Sequence, residues 1–539
     1  MQHYPRPLIL HNATIRTMDD AGTTAEAVAV SGERILALGG SRELLDRYPD
    51  AARRDLRGLT VLPGLIDSHL HLLTLGLNSF AVDLSGADSI AGVLAALRAR
   101  AATTPRAAWI VSSSRWHESQ LAEGRFPTRA ELDAAAPAHP AVLRRGGHNV
   151  VANSTALALA GVTRATADPP GGTYVRDAEG ELTGHIIGAP AYGRVVARLP
   201  QPDLARRVEA IRVASEKLLA AGITGVIEPG LSAEEIAAYR QARAEGALAV
   251  RAVLMPRLAP GVGPDEGGRA LDQFARLEPA GGDDFLRVGP VKIVADGGVE
   301  TNFLREPYAH TDDPASPRGK PQVSPENLTA VCHAAARAGR QLGVHCVGDA
   351  AIDLVLDAFS AADRAHSIRS LRWTLIHMIL ARSEHFERAR GLGLVVAAQQ
   401  PLVDALGAGW LKYWGPKRAA QAMPLRDLAA SGLTIGGGSD APVTEYSPWR
   451  ALWSAATRAT AQAGVLGADQ VVDAATMLRW YTRGSAALSS DESRRGTLAP
   501  GMLADLIAAE PDPLKLPAGE LQDVQVRLTM VNGETVYDA

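Results

Sequence analysis

The sequence predicts an α/β fold built as a (β/α)8 barrel, and three observations lead to it. Apolar strand-like runs alternate with helical patterns through the middle of the 539-residue chain, as in parallel sheets with crossover helices. Eight such runs can be counted. Histidines or an aspartate follow several of them, and functional side chains gather at the carboxyl ends of barrel strands. The 46% of hydrophobic and 21% of charged residues are ordinary for a globular protein.

Eight strands are predicted in the central part of the chain. They are Thr60–Asp67, Thr224–Glu228, Arg251–Met255, Val291–Ala295, Leu342–His345, Arg372–His377, Leu394–Ala398 and Thr434–Gly438. The count holds only if about residues 80–201 are set aside as an insertion after the first strand. The barrel then covers residues 61–485, and a helix over Leu204–Ala220 leads back from the insertion into it.

The two ends of the chain read as short strands. Residues 1–60 carry apolar runs separated by turns, and residues 486–539 carry two more runs and the hairpin signal Asn532-Gly533. Neither end has enough apolar residues for a core of its own. We therefore expect both ends to fold together into one small β domain, with the chain termini close in space.

Composition excludes several classes of protein. A net charge of −4 gives no sign of a nucleic-acid or anionic-membrane surface. No apolar run reaches the length of a membrane span, and the first ten residues lack the pattern of a signal peptide. Two cysteines, Cys332 and Cys346, cannot cross-link a chain of this length, so a cytoplasmic location is expected.

The most informative segment reads VLPGLIDSHLH and ends at His71. Side chains alternate along a strand, so His69 and His71 point the same way, toward the mouth of the barrel. Two neutral imidazoles there could hold Zn²⁺ or a similar ion. A chain with 14 histidines also produces a His-x-His pair by chance. The position after an apolar strand therefore carries most of the weight.

Three further potential ligands follow later strands. His345 follows the fifth strand, His377 the sixth and Asp440 the eighth. The spacings of 32 and 63 residues are close to one and two βα units. A single histidine at a strand end is more often structural. Four histidines and an aspartate at the ends of strands one, five, six and eight are hard to explain by packing, and they predict a metal centre that includes Asp440.

Lys292, one of only six lysines, lies in the apolar fourth strand. Burial and nearby positive charge both favour a neutral lysine amine. A neutral amine can react with carbon dioxide to give a carbamate, an anion able to bridge two metal ions. The alternative is a lysine paired with a carboxylate such as Asp296. We expect the carbamate, because a bare ammonium close to divalent cations is electrostatically unfavourable.

Three residues are candidates for substrate binding. His148 lies in the glycine-rich segment RRGGHN of the insertion and either contacts substrate or caps loop backbone. Trp116 either lines the pocket or packs in a core. Asp296 either contacts substrate or orients Lys292.

An aromatic cluster follows the seventh strand and consists of Trp410, Tyr413 and Trp414. In a barrel the loop after this strand faces the active site. An exposed aromatic loop there favours apolar or aromatic substrates, whereas a lid packed on the insertion gives the same sequence pattern.

These segments together resemble the amidohydrolase superfamily of metal-dependent hydrolases, and most closely its YtcJ-like branch, which includes N-substituted formamide deformylases. The resemblance covers essentially the whole chain. It rests on VLPGLIDSHLHLLTLG, AWIVSSSRW, RRGGHNVVANSTAL, GELTG, VKIVADGG, GVHCVGDAAID, GGGSDAPV and GTLAPGMLADLI.

The resemblance implies one or two divalent metal ions, with zinc as the first candidate. It implies metal ligands at His69, His71, His345, His377 and Asp440, a bridging carboxylated lysine at Lys292, and a composite β-sandwich domain formed by the two ends. The chain departs from the pattern at Ile376, where the branch usually has a glutamate just before the histidine.

We therefore expect a metal-dependent hydrolase that cleaves a C–N bond, with an amide (an N-acyl or N-formyl amine, or a cyclic amide) as the first candidate. Metal-bound hydroxide attacks the carbonyl, and Asp440 acts as general base and then as general acid toward the leaving nitrogen. The alternative enzyme is a deaminase or another C–N hydrolase acting on a heteroaromatic substrate, which does without Lys292.

Outside enzymes, the alternative is a non-catalytic binding protein, which is disfavoured because every expected ligand position is filled. The expected partner is a small-molecule substrate and neither a nucleic acid nor a membrane. A homodimer is a fair expectation, because twofold assemblies are the commonest.

Overall fold

The computed structural model describes residues 6–145, 149–169, 172–258, 264–275, 283–311 and 316–539. The chain forms two compact units. One consists of Met1–Leu72 with Ala214–Ala539, and the other of Leu73–Val213. The second unit encloses the predicted insertion of about residues 80–201 and is slightly longer at both ends.

The strands are numbered here in chain order. They are β1 (Leu8–His11), β2 (Thr14–Arg16), β3 (Thr24–Ala25), β4 (Ala27–Ser31), β5 (Arg34–Gly39), β6 (Ala52–Asp55), β7 (Thr60–Pro63), β8 (Leu65–Asp67), β9 (Ile110–Val111), β10 (Ala141–Arg145), β11 (Asn149–Ala152), β12 (Thr173–Arg176), β13 (Leu182–Ile187), β14 (Ile223–Leu231), β15 (Arg251–Pro256), β16 (Leu286–Val288), β17 (Val291–Val294), β18 (Leu342–Cys346), β19 (Thr374–His377), β20 (Val395–Ala398), β21 (Thr434–Gly437), β22 (Leu506–Glu510), β23 (Gln525–Val531) and β24 (Glu534–Asp538).

The α-helices are numbered in the same way. They are α1 (Ser41–Arg47), α2 (Leu72–Asn78), α3 (Ile90–Thr103), α4 (Arg129–Ala135), α5 (Ser154–Leu159), α6 (Ala189–Val196), α7 (Leu204–Ala220), α8 (Ala233–Ala244), α9 (Pro264–Ala275), α10 (Pro325–Arg337), α11 (Asp349–Ala365), α12 (Ser383–Gly391), α13 (Leu402–Gln421), α14 (Leu425–Ala430), α15 (Pro448–Thr457), α16 (Ala474–Arg479) and α17 (Ser485–Leu488).

Two parallel sheets contain the strands that precede the predicted metal ligands. The first has the order β16-β15-β14-β8 and the second the order β17-β18-β19-β20-β21. Every pairing within them is parallel. Backbone contacts also join one sheet to the other: the Ser68 amide donates to the Gly437 carbonyl at 2.9 Å, and Arg257 forms a parallel bridge with Lys292.

The crossover helices owe their ends and their faces to local sequence. Ser232 caps α8 by accepting from the Glu235 amide, and Ser324 caps α10 by accepting from the Asn327 amide. Helix α11 buries one apolar face that includes Ile352 and Phe359. The caps define where these helices begin, and an apolar face such as that of α11 allows a helix to pack on a parallel sheet.

The predicted first strand, Thr60–Asp67, divides at Gly64 into β7 and β8, which belong to different sheets. A Cβ at Gly64 would lie only 2.3 Å from Thr224 Oγ1. Glycine therefore permits the close approach to β14 at which the chain passes from one sheet into the other. The predicted fourth strand is preceded by the extra strand β16, and Pro290, which has no amide hydrogen, lies between β16 and β17.

Strands from both ends of the chain share a six-stranded sheet with the order β24-β23-β22-β7-β2-β3. In it, β22 pairs antiparallel with β7, and β7 pairs parallel with β2. A core that includes Val28, Val61 and Leu528 lies against it. Arg251 on β15 forms a buried two-pronged ion pair with Asp505, with N–O distances of 2.6 and 2.9 Å.

The unit Leu73–Val213 contains a five-stranded sheet with the order β12-β13-β11-β10-β9. Asn153 in this unit is fully buried and makes three side-chain hydrogen bonds. Asn153 Oδ1 accepts from the amides of Ala141 and Ala156, and Asn153 Nδ2 donates to the His139 carbonyl. The side chain thereby ties β10 to the start of α5.

Candidate active site

The chain leaves β8 in a conformation fixed by a buried carboxylate. Asp67 Oδ1 accepts the amide hydrogens of His69 at 3.0 Å and Ser439 at 3.1 Å. Burial raises the pKa of Asp67 to about 7, and these hydrogen bonds oppose the rise. Gly438 allows the two segments to meet, because a Cβ there would lie 2.8 Å from Asp67 Oδ1 and 2.9 Å from the His69 nitrogen.

His69, His71 and Asp440 come together at the carboxyl ends of β8 and β21. Asp440 Oδ1 lies 3.5 Å from His69 Nε2 and 3.3 Å from His71 Nε2. Among the described residues, these three form the one group of histidine, cysteine or carboxylate ligand atoms that lie within 4.8 Å of one another. Asp440 has a φ of 60°, and its amide donates to the His69 carbonyl at 2.7 Å.

His345 and His377 lie next to this group. Their rings are 4.6 Å apart between centroids, and the His377 ring is 5.1 Å from that of His69. His377 has a φ of 75°, which interrupts the alternation at the end of β19. The preceding Ile376 belongs to the apolar cluster of the parallel sheets. The change in backbone direction at His377 lets its ring face the other imidazoles although Ile376 is packed inside.

The imidazoles of His69 and His377 are held in the neutral form. Burial lowers the pKa of His69 well below its ordinary value, and the charges of Lys292 and His377 lower it further. Burial also lowers the pKa of His377 well below its ordinary value, and the charges of His345 and Lys292 lower it further. Neutral imidazole is the form of histidine that binds a metal.

Lys292 is buried on β17, and its charge acts on both of these histidines. Burial lowers the pKa of Lys292 to about 7, and the carboxylate of Asp440 opposes the lowering. A substantial fraction of the amine is therefore neutral at pH 7, as reaction with carbon dioxide requires. Burial thus lowers the pKa of Lys292, as its position in an apolar strand predicts.

The donor set fits a divalent ion. His69 Nδ1 and His377 Nδ1 are buried, and neither has a hydrogen-bond partner in the part of the chain that the structure describes. Neutral imidazole nitrogens around one carboxylate oxygen are the ligands that zinc and similar ions prefer. Without an ion, this polar cluster would remain buried with little compensation.

Asp296 is engaged by backbone rather than exposed to a cavity. Its carboxylate accepts amide hydrogens from Phe303, Val347 and Gly348 at 2.9–3.0 Å, and Asp296 Oδ1 lies 3.6 Å from His345 Nε2. These contacts join the segment after β17 to the segment after β18. A role in substrate binding stays a prediction, and the contacts show a role in holding these two segments together.

The structure describes one of the two predicted substrate-binding residues of the insertion. Trp116 is buried in the core of the unit Leu73–Val213, where its Nε1 donates to the Arg144 carbonyl and its ring meets Phe126 edge-on. Its role in lining a substrate pocket stays a prediction. His148 lies outside the described residues.

The aromatic residues after the seventh strand lie in α13, which is kinked at Gly415. Trp410 and Trp414 are stacked and buried, with ring centroids 5.6 Å apart. Trp414 Nε1 donates to the Val299 carbonyl at 3.1 Å. The exposed-loop interpretation is therefore wrong, because the helix packs its aromatic side chains on the segment after β17.

Three polar residues of this region were not singled out from the sequence: Asp67, Glu228 and Gln399. All three are buried: Asp67 ends β8, Gln399 directly follows β20, and Glu228 lies within β14. Glu228 accepts a hydrogen bond from the Leu72 amide at the start of α2. A polar residue inside or directly after an otherwise apolar strand is the signal that could have found them.

Comparison with known proteins identifies the family. The model of the amidohydrolase family matches residues 53–537, and a model of the bacterial imidazolonepropionase-like composite domain matches residues 27–51. The Bacillus subtilis protein YtcJ, named as an amidohydrolase, is 30% identical over 98% of this chain and 99% of its own length. The N-substituted formamide deformylase of Arthrobacter pascens is 30% identical over 99% of this chain and 98% of its own.

A solved structure agrees with these matches. The crystal structure of an uncharacterized metal-dependent hydrolase from Pyrococcus horikoshii superimposes with a TM-score of 0.75 and 26% identity, over 95% of this chain and 99% of that one. No helix within the described residues is long and apolar enough to cross a membrane. On the family match and these relatives, the chain belongs to the amidohydrolase family and is a metal-dependent hydrolase.

Proposed function

We propose that the protein hydrolyses the C–N bond of an amide, with N-acyl or N-formyl amines and cyclic amides as the substrate class. The observation that carries this proposal is the buried Lys292 next to His69 and His377, with a pKa lowered to about 7. A carbamate formed on this lysine would supply an anionic oxygen ligand to divalent ions held by these histidines. The name of the Arthrobacter pascens relative, an N-substituted formamide deformylase, supports the same substrate class.

The residues would hold the metal in two sets that share Lys292. His69, His71 and Asp440 are the tight set, and His345 and His377 are the adjoining set. A bound divalent ion supplies Lewis acidity toward a carbonyl oxygen and lowers the pKa of water toward about 7. Among the residues that the structure describes, Asp440 is the one carboxylate within 3.5 Å of the His69 and His71 nitrogens.

Asp440 is proposed as the catalytic acid and base. Its Oδ1 takes the proton from the attacking water and later donates it to the leaving nitrogen. This transfer is needed because an amine anion is a poor leaving group. The orientation of Asp440 is fixed by backbone, since its amide donates to His69 and its carbonyl accepts from Val443 at 2.9 Å.

We also propose that the two parallel sheets are parts of one closed (β/α)8 barrel, with β16 and β17 acting as a single interrupted strand. The Ser68–Gly437 hydrogen bond and the Arg257–Lys292 bridge support closure on the two sides where the sheets meet. The shared sheet of N- and C-terminal strands supports the composite β-sandwich domain.

A deaminase or another C–N hydrolase on a heteroaromatic substrate is the second candidate. The tight group of His69, His71 and Asp440 favours it, because these three ligands could hold a single ion without Lys292. Metal content separates the two candidates. Two ions per chain and a carbamate on Lys292, detected by its mass or by ¹³C labelling, support the amide hydrolase, whereas one ion and an unmodified lysine support the deaminase.

Activity tests the proposal directly. The protein loaded with Zn²⁺, Co²⁺ or Mn²⁺ is assayed against N-formyl and N-acyl amines, lactams, carbamates and N-acyl amino acids, with aminated heterocycles as the opposing set. Turnover of amides alone supports the proposal, and turnover of the heterocycles alone refutes it. Zinc as the native metal, a homodimer and a cytoplasmic location stay predictions.

A further inference from the structure

An exposed arginine beside Lys292 has no part in the proposed mechanism. Arg257 directly follows β15, at the carboxyl end of the strand. Its guanidinium forms no ion pair and no hydrogen bond with any residue in the described ranges. A guanidinium presents its N–H donors as a planar fork that matches the two oxygens of a carboxylate. Arg257 is therefore a cation that a ligand could reach.

Backbone hydrogen bonds fix the position of Arg257 although it lies beyond the end of β15. Its amide donates to the carbonyl of Leu231, the last residue of β14, at 2.9 Å. The Leu258 amide donates to the Lys292 carbonyl at 2.9 Å, and Arg257 forms a parallel bridge with Lys292. Neighbouring strands lie about 4.8 Å apart, so the backbones of Arg257 and Lys292 are adjacent.

The side chain of Arg257 leaves the backbone on the same face as Lys292. Met255 lies in the apolar cluster with Ile376, and alternation along the strand places Arg257 on that face. Gly343 is in register with Lys292, and a Cβ on Gly343 would lie 2.3 Å from the Met255 side chain. Lys292 therefore also points to this face. Lys292 is buried there, whereas Arg257 is exposed at the rim of the candidate active site.

We infer that Arg257 is a substrate-binding residue that selects amides carrying a carboxylate, such as N-formyl and N-acyl amino acids. The inference rests on the proposed function. The guanidinium binds the carboxylate through charge-assisted hydrogen bonds and leaves the amide carbonyl to the metal site. A neutral amide of the same size makes no such contact. The substrate class thereby narrows from amides in general to amides of amino acids and related acids.

The test compares two probes, N-formylnorleucine (each enantiomer) and N-pentylformamide, which differ by one carboxylate. The original protein is expected to have at least about a tenfold higher kcat/KM for one enantiomer of N-formylnorleucine. Arg257→Met is expected to remove this preference, mainly through KM for the anionic probe, and to change N-pentylformamide by less than about threefold. Arg257→Lys is expected to retain part of the preference, because it keeps the charge but loses the fork.

Arg337 provides a matched control. It is an exposed arginine in the last turn of α10, five residues before β18 begins, and so lies toward the amino end of that strand. Arg337→Met removes the same charge from the protein and is expected to keep the preference. An original protein that does not prefer the anionic probe, an unchanged preference in Arg257→Met, or an equal loss in both Met variants would overturn the inference.

Metal and carbamate content separate substrate binding from an effect transmitted through Lys292. Because Arg257 is exposed, Arg257→Met is expected to keep the Tm, the metal content and any ¹³C-labelled carbamate of the original protein. Equal losses of activity on both probes, together with less metal or carbamate, would make Arg257 a positioning residue for Lys292 and refute the inference. Arg257→Gln replaces Arg257→Met if the latter does not fold.

Direct binding keeps this test independent of turnover. If the original protein hydrolyses neither probe, the proposed function fails for N-formyl amines. Binding of N-formylnorleucine to the original protein and to Arg257→Met is then measured by calorimetry. Binding that is at least about tenfold weaker in Arg257→Met supports the inference. Equal binding to the two proteins, or no binding to the original, overturns it.

Discussion

Replacement of Asp440 by asparagine is the sharpest test of the proposed chemistry, because it changes the site while leaving the backbone unstrained. Asp440 has a φ of 60°, and asparagine is among the few residues that adopt this left-handed conformation readily. Its backbone hydrogen bonds, to His69 and from Val443, do not involve the side chain. The variant is therefore expected to keep its Tm to within about 2 °C.

The rate is expected to fall steeply. A single carboxylate oxygen lies 3.3–3.5 Å from the His71 and His69 nitrogens, so the substitution removes both the negative ligand and the proposed general base. Loss of a general base costs about 10²–10⁴ in rate, and a weaker metal site adds to this. We expect kcat to fall by about 10³-fold or more, which corresponds to about 4 kcal/mol of activation free energy.

The assay measures kcat and KM on the best amide substrate at saturating metal, with metal content determined on the same sample. Asp440→Ala is the matched comparison, because alanine removes the same carboxylate but tolerates the positive φ less well, at a cost of about 1–2 kcal/mol of stability. Metal-loaded Asp440→Asn with kcat within tenfold of the original would refute the assignment of Asp440.

Three further outcomes are expected. The pKa of Lys292 is about 7 in the folded chain and ordinarily 10.5. Between these two pH values the unfolded chain therefore binds one proton more than the folded chain. Below pH 7 the buried lysine therefore lowers the free energy of unfolding by its full amount, and the effect becomes smaller as the pH rises toward 10.5. Lys292→Met should accordingly raise the Tm of the metal-free protein more at pH 6 than at pH 9. Arg251→Met should lower the free energy of unfolding in urea by about 3–5 kcal/mol, because Asp505 stays buried without its cation. Gly348→Ala should lower both Tm and activity, because its Cβ would lie 2.0 Å from the Phe303 carbonyl oxygen.

Each of these outcomes has a control. Equal Tm changes at pH 6 and pH 9 would contradict a lowered pKa for Lys292. Arg243→Met breaks an ion pair whose side chains are both more than a third exposed, and it should cost less than about 1 kcal/mol. Gly193→Ala places its new Cβ in open space and should leave Tm nearly unchanged.

The strands of the two parallel sheets could be predicted because their signal is local. An apolar run followed by a histidine or an aspartate is visible in sequence without knowledge of any partner strand. The same rule placed His345 and Asp440 at strand ends, and the structure brings both to the same cluster as His69. The expected effect of burial on Lys292 follows from the apolar residues on either side of it.

Features that depend on distant contacts could not be predicted. The division of the first strand at Gly64 results from its approach to Thr224, which is 160 residues away in the sequence. The positive φ of His377 leaves no pattern in the sequence of β19.

The position of β7 between β2 and β22 has a consequence for biosynthesis. Strand β7 leads directly through Gly64 into β8 and the first two histidines, yet its neighbour β22 lies about 440 residues further along the chain. At about 5–20 residues per second, the ribosome needs roughly 20–90 s to supply that neighbour. During this interval the edge of β7 is unpaired, so a nascent or prematurely terminated chain exposes an apolar strand beside an unfinished site, where chaperones and proteases can recognise it.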